Sequence, residues 1–122
     1  EVFPEEVKNR HIIGEKYSSV LSNLNGFETP TVAESNTSVF AQYTILCENR
    51  EGIQSKLKEN DIPSVSYYSV PLHLQPVFEN LGHEMGDLPV SEKVANHCLS
   101  LPMSPYLLED DQSKVIEAIK SI

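Results

Sequence analysis

Apolar residues recur at helical spacing through the first part of the chain. Ile13, Tyr17, Val20, Leu21 and Leu24 fall on one stripe, which predicts a helix from about Pro4 to Leu24. Pro4 suits a first helical turn, and Glu5 and Glu6 complement its positive dipole end. Asn25-Gly26 supplies a stop. From Phe27 to Ser38 the periodicity is lost in favour of Thr, Ser, Asn and Pro. A loop this long in a compact domain is expected to be exposed or to form a partner surface.

Period-two alternation begins at Val39. Val39, Ala41, Tyr43, Ile45 and Cys47 fall on one side and Phe40, Gln42, Thr44 and Leu46 on the other, predicting a strand over 39–47. Asn49 is placed to cap a helix from Arg50 to Asn60, with Ile53 and Leu57 inward. Ile62-Pro63 leads to a short strand over Ser64–Tyr68. An irregular stretch over Ser69–Pro89 follows, with room for a short helix near Gln75–Leu81. A helix over Val90–His97, a strand over Cys98–Leu101 and a turn at Pro102-Met103-Ser104-Pro105 come next. The last helix runs from Glu109 to Ser121, with three acids in its first turn and Val115, Ile116, Ile119 and Ile122 inward.

Few short strands among many helices predict an α+β domain, a small sheet with helices mostly on one face. A helical crossover joins the first two strands. They are therefore either parallel neighbours or separated by another strand.

With 122 residues the chain has the size of one domain, and 39% hydrophobic residues provide for a packed core. Charge changes the picture more. Nine basic against 18 acidic residues leave a net of −9, which disfavours nucleic-acid and anionic-membrane partners. No apolar run is long enough to span a bilayer, and the first residues have no signal-peptide pattern. Without an initiator Met, the chain is expected to have been trimmed or cut from something longer. Cys47 and Cys98 form no CxxC motif and lie in apolar stretches, so buried free thiols are expected.

Candidate chemistry is sparse. GxSxG, GxxxxGK[ST] and GxGxxG are absent, and His11, His73, His83 and His97 have no metal-ligand spacing, so no metal is expected. The acids read as solvated faces. Tyr67-Tyr68 at a strand end, followed by Pro71-Leu72-His73, places phenol and imidazole groups where a ligand or another domain could meet them. Tyr67 packing in the core, with His73 closing a turn, is the plainer alternative.

At these residues the chain resembles the C-terminal region of the DegT/DnrJ/StrS nucleotide-sugar aminotransferases. The resemblance lies in Tyr68, Pro71-Leu72-His73-Leu74-Gln75-Pro76, Asp87-Leu88-Pro89-Val90-Ser91-Glu92-Lys93 and Leu99-Ser100-Leu101-Pro102-Met103-Ser104-Pro105-Tyr106-Leu107. Phe40-Ala41-Gln42-Tyr43-Thr44-Ile45 is similar to the family's strand entering the small domain, and Asn9 to Leu21 to the helix before it. The resemblance implies the small domain of the aspartate-aminotransferase fold, with a mainly antiparallel sheet of about three strands. It implies one domain over residues 1–122, with the large catalytic domain absent.

It also implies a parent enzyme that uses pyridoxal phosphate to move an amino group, from glutamate, to a nucleotide-linked keto-sugar. The product would be an amino sugar for polysaccharide, lipopolysaccharide or a secondary metabolite, made by a cytoplasmic homodimer of a bacterium or archaeon. The family's common His-Tyr-Pro pattern reads Tyr67-Tyr68-Ser69 here, so Tyr67, Tyr68 and His73 are the substrate-facing candidates. A phenol in place of imidazole at position 67 removes a titratable group. None of Lys8, Lys16, Lys56, Lys58, Lys93, Lys114 and Lys120 has the Ser- and Gly-rich context of the family's catalytic lysine. The chain alone is expected to be inactive and to bind no cofactor. The other reading is a stand-alone binding or regulatory module. A missing large domain also implies an exposed apolar patch on the first helix and the Phe27–Ser38 loop.

Overall fold

Strand order and register set the core. The computed structural model describes residues 2–122. Its strands β1 (Phe27–Glu28), β2 (Tyr43–Cys47) and β3 (Cys98–Leu101) form one antiparallel sheet in the order β1-β2-β3. Tyr43 lies opposite Leu101 and Ile45 opposite Leu99, so these four side chains share a face. Phe27 opposite Cys47 extends that face to β1.

Three helices cover it. Helix α1 (Phe3–Leu21) contributes Ile13, Tyr17 and Leu21; α2 (Arg50–Glu59) contributes Ile53 and Leu57. After α3 (Pro89–His97), α4 (Glu109–Lys120) adds Val115, Ile116, Ala118 and Ile119 to the same cluster. The four-residue steps within α1 and α2 are the spacing that puts side chains on one helix stripe. The fold is thus the expected α+β arrangement, three antiparallel strands with helices packed mostly on one face.

Tyr17, Tyr43 and Gln112 pair their polar atoms inside the core. Tyr17 donates from its hydroxyl to the Pro102 carbonyl at 3.0 Å, and Gln112 Nε2 donates to the Ile13 carbonyl at 2.8 Å. Ser18 and Tyr43 share a 2.7 Å hydroxyl contact. Cys47 and Cys98 are buried and free, as expected. Burial pushes the Cys47 thiol up to about 11, against the opposing influence of Arg50.

Several expectations need correction. Helix α1 ends at Leu21, short of Leu24, although Val20 and Leu24 still pack against the core. β2 begins at Tyr43, because Phe40 turns out of the strand at φ +42° and buries its ring. Val39 and Ala41 are consequently exposed. The Ser64–Tyr68 strand reduces to one antiparallel bridge between Val65 and Ser100. That bridge lies on the far edge of β3, so the segment and β2 are separated by another strand, the second of the two expected arrangements.

β1 lies within the stretch read as loop. Phe27 and Val32 from that stretch pack on the core, so it forms no apolar patch. On α1, the other half of the expectation, apolar side chains are exposed at Phe3 and Ile12, and further exposed ones lie along residues 65–94. Asn49 caps α2 as expected, accepting from the Gly52 amide at 3.1 Å. At α4 the cap position is Leu108, and no side chain caps it.

The Phe40 turn depends on α1. Its ring lies over Gly14, where any Cβ would overlap it. In an open helix Gly14→Ala would stabilise by about 1 kcal/mol. Here overpacking of about 1–3 kcal/mol outweighs that gain. Thermal denaturation is expected to show a lowered Tm for Gly14→Ala, with the loss abolished in a Phe40→Ala background. Equal losses in both backgrounds would refute the contact.

Candidate functional site

The opposite face of the sheet carries Thr44, Leu46, Cys98 and Ser100. Thr44 and Ser100 lie in register and share a 2.8 Å hydroxyl contact. The chain that leaves the Val65 bridge runs along this side. Ser66 Oγ donates to the Cys98 carbonyl at 2.9 Å, and Arg50 Nη1 donates to the Ala95 carbonyl at 2.8 Å beside it. These bonds fix where the next residues emerge.

Tyr67 and Tyr68 emerge exposed, at 56% and 73%. Neither packs in the core. Tyr67 borders a shallow cleft of about 220 Å³ shared with Gln42, Pro63, Ser100 and Met103. Ser69 and Val70 are also exposed. His73 differs from the outward placement expected of it. It lies in the middle of the first of two 3₁₀ segments (Leu72–Leu74, then Pro76–Leu81), is 7% exposed, and turns its ring inward.

The inward partner of His73 is Glu92. His73 Nε2 lies 3.1 Å from Glu92 Oε1. The same carboxylate accepts from the Gly86 amide with both oxygens, at 2.9 and 3.0 Å, and from the Leu88 amide at 3.2 Å. Gly86 is at φ +100°, a conformation that L side chains rarely adopt, and this aims its N–H at the carboxylate. Burial pushes the Glu92 carboxyl up. The Gly86 and Leu88 amides and His73 outweigh burial and hold it below the ordinary glutamate value.

An outer pair repeats the pattern. Asp87 Oδ2 accepts from the Glu84 amide at 3.0 Å and lies 3.3 Å from His83 Nδ1. That amide and that imidazole hold Asp87 below its ordinary value. The His73 and His83 rings meet edge to face, 6.1 Å between centroids. His73 Nδ1 is buried without a partner.

Sequence reasoning quoted Glu92 only as part of a motif and gave it no role. A signal was present. An acid one turn after Leu88-Pro89, with a glycine shortly before, has the form of a helix-start carboxylate reaching back to free amides. What this region offers chemically is phenol hydroxyls and ring faces on a braced segment. Among the described residues, no group of three or more His, Cys, Asp or Glu side chains is arranged to hold a metal ion. No helix is long and apolar enough to cross a membrane.

Comparison with known proteins bears on this arrangement directly. The model of the DegT/DnrJ/EryC1/StrS aminotransferase family matches residues 1–120. The chain belongs to that family. A crystal structure of a DegT/DnrJ/EryC1/StrS aminotransferase from Brucella abortus superposes on 98% of this chain with a TM-score of 0.88 and 40% identity. The UDP-2-acetamido-2-deoxy-3-oxo-D-glucuronate aminotransferase of Pseudomonas aeruginosa is 39% identical over 88% of this chain. The "Pleiotropic regulatory protein" of Geobacillus stearothermophilus is 48% identical over 75% of it. The chain spans 32% of the Brucella chain, and 29% and 24% of the two curated relatives.

Membership raises the question whether these residues fit pyridoxal phosphate. A Schiff-base lysine must be neutral part of the time, which takes burial or a cationic neighbour. None of the seven lysines is buried. Five are ion-paired, as Lys16–Glu109, Lys56–Glu59, Lys93–Glu28, Lys114–Asp111 and Lys120–Glu117. Hydrogen bonding to Asp111 raises Lys114 further, the opposite of what an amine nucleophile needs. The residues of this chain do not fit the cofactor.

The Glu92 contacts carry a pH signature. A carboxyl held below its ordinary value of 4.5 contributes stability that is fully present above that value. The contribution is lost as pH falls through the lower folded value. The NMR shift of the Glu92 side-chain carboxyl carbon is expected to titrate with its midpoint below 4.5. A transition completed above 4.5 would mean that burial dominates instead.

Proposed function

We propose that this chain is the small-domain part of a pyridoxal-phosphate aminotransferase that moves an amino group from an amino acid, glutamate, to a nucleotide-linked keto-sugar. The product is an amino sugar for polysaccharide, lipopolysaccharide or a secondary metabolite. One observation carries the reading: nearly the whole chain matches a third of a sugar-aminotransferase-family structure, yet no lysine here is suited to the cofactor. In this reading the cofactor and its lysine belong to a large domain outside these residues, and these residues alone are inactive. The parent is a homodimer.

The part played by this chain is recognition. Tyr67 and Tyr68 offer hydroxyls for hydrogen bonding and ring faces for stacking against a sugar or base. Their exposure supports this assignment. His73 serves the same site from behind, through its contact with Glu92 rather than with substrate.

A second reading draws on the name of the Geobacillus relative. In it the same fold serves a regulatory protein without transferase activity, and the exposed tyrosines meet a macromolecule.

The intact gene product, assayed with glutamate and a UDP-linked 3-keto-sugar, separates the two. The aminotransferase reading expects transfer. It also expects Tyr68→Ala to raise the KM for the sugar nucleotide about tenfold, the loss of about 1.4 kcal/mol of contact. Absence of transfer across nucleotide-linked keto-sugars would favour the regulatory reading. Transfer unaffected by a Tyr67→Ala, Tyr68→Ala double variant would remove the tyrosines from the site.

A further inference from the structure

We propose that Glu92 is a positioning residue: with His73 it forms the distal anchor of the segment that carries Tyr67 and Tyr68, and so sets where those phenols stand. The substrate-facing part of this rests on the aminotransferase reading. The anchor itself rests on geometry alone.

The segment is held at two ends. At the near end, Val65 and Ser100 exchange backbone hydrogen bonds of 3.2 and 2.8 Å, and Ser66 Oγ reaches the Cys98 carbonyl. At the far end, His73 reaches Glu92. Between them, residues 67–70 are exposed. Among the described residues, no backbone–backbone hydrogen bond involves them. Their course is therefore set by the two anchors, by a 3.9 Å contact from the Cys98 thiol to the Tyr68 carbonyl, and by Pro71, which holds φ at −59° in extended chain.

The far anchor is a junction of three chain positions. One carboxylate accepts from His73, from the Gly86 amide at the loop apex, and from the Leu88 amide at the start of α3. Residues 81–91 are otherwise exposed throughout, so no apolar core holds this loop in place. The buried, unpaired Nδ1 of His73 is unfavourable, and an apolar side chain would avoid it. What the imidazole adds is the bond to Glu92. Removing that carboxylate releases the far end of the tyrosine segment and the loop together. Removing His73 alone leaves Glu92 its backbone donors and releases only the segment.

The test uses Glu92→Gln and His73→Ala in the intact gene product, with hydrogen–deuterium exchange and steady-state kinetics. Gln keeps the shape but turns a donor toward amide donors. In Glu92→Gln, exchange at Leu74 and Gln75, whose amides bond back to Pro71 and Leu72, and at Gly86 and Leu88 is expected to rise about tenfold, with α1 and α4 unchanged. KM for the sugar nucleotide is expected to rise about tenfold with kcat within about twofold. In His73→Ala, Leu74 and Gln75 accelerate while Gly86 and Leu88 stay protected. That His73→Ala pattern, read with its own KM for the sugar nucleotide, decides the matter if Glu92→Gln does not fold.

Unchanged exchange at Leu74 and Gln75 in the variants would overturn the anchor. Accelerated exchange with an unchanged KM, while Tyr68→Ala raises KM, would overturn the positioning role. Accelerated exchange with KM unmoved by Tyr68→Ala would leave the anchor standing and count against the substrate-facing reading instead.

Discussion

The inward face of β2 is the constraint on which the rest of the domain depends. Tyr43, Ile45 and Cys47 are almost wholly removed from solvent, and their neighbours Leu99 and Leu101 on β3 complete the surface. Each large apolar side chain buried there is worth about 1.5–3 kcal/mol. A sheet this small cannot bury such a face against itself, so it recruits three helices from distant parts of the chain. Tyr17, Leu21, Ile53, Leu57 and Ile119 meet on it with essentially no exposure. The Tyr17 and Tyr43 rings lie 5.0 Å apart at its centre, and burial raises both phenols.

Committing one face to helices leaves the other to a different purpose. Along that face the side chains are Thr44, Leu46, Cys98 and Ser100. The segment from Val65 to His73 leaves the edge of β3 and is secured by polar contacts at Val65, Ser66 and His73. This division explains why the tyrosines stay exposed on a defined backbone. The core fixes the sheet, the sheet fixes the near anchor, and α3 presents the carboxylate that fixes the far one. A bond network of this kind orders a surface without covering it, which suits a wall meant to meet something else.

Where apolar periodicity spans several turns, the sequence was a reliable guide. The stripes of α1 and α2 and the strand at Cys98–Leu101 follow from it directly, and that of α4 holds through Ile119, whereas Ile122, expected inward, lies beyond the helix end and is exposed. It failed where a single tertiary contact overrode the local pattern. Phe40 continues the alternation of β2 on paper, but its ring is drawn across Gly14 and the strand starts three residues later. β1 is two residues long, too short for alternation to register. Ser64–Tyr68 has strand-forming residues but only one, Val65, has a pairing partner. In the candidate site, Tyr67 and Tyr68 could be flagged from their type and position. The helix-start part of the Glu92 role carried a signal in the acid one turn after Leu88-Pro89, but its bond to His73 did not, because that bond joins residues 19 positions apart.

The central claim is that these residues supply a braced recognition wall while the cofactor chemistry lies elsewhere in the parent protein. The direct measurement is titration of the purified 122-residue chain with pyridoxal phosphate, then borohydride reduction and intact mass. The account predicts no specific adduct, since every lysine is solvent-accessible and most are ion-paired. A single stoichiometric adduct on one lysine would contradict it, because the chain would then carry Schiff-base chemistry of its own.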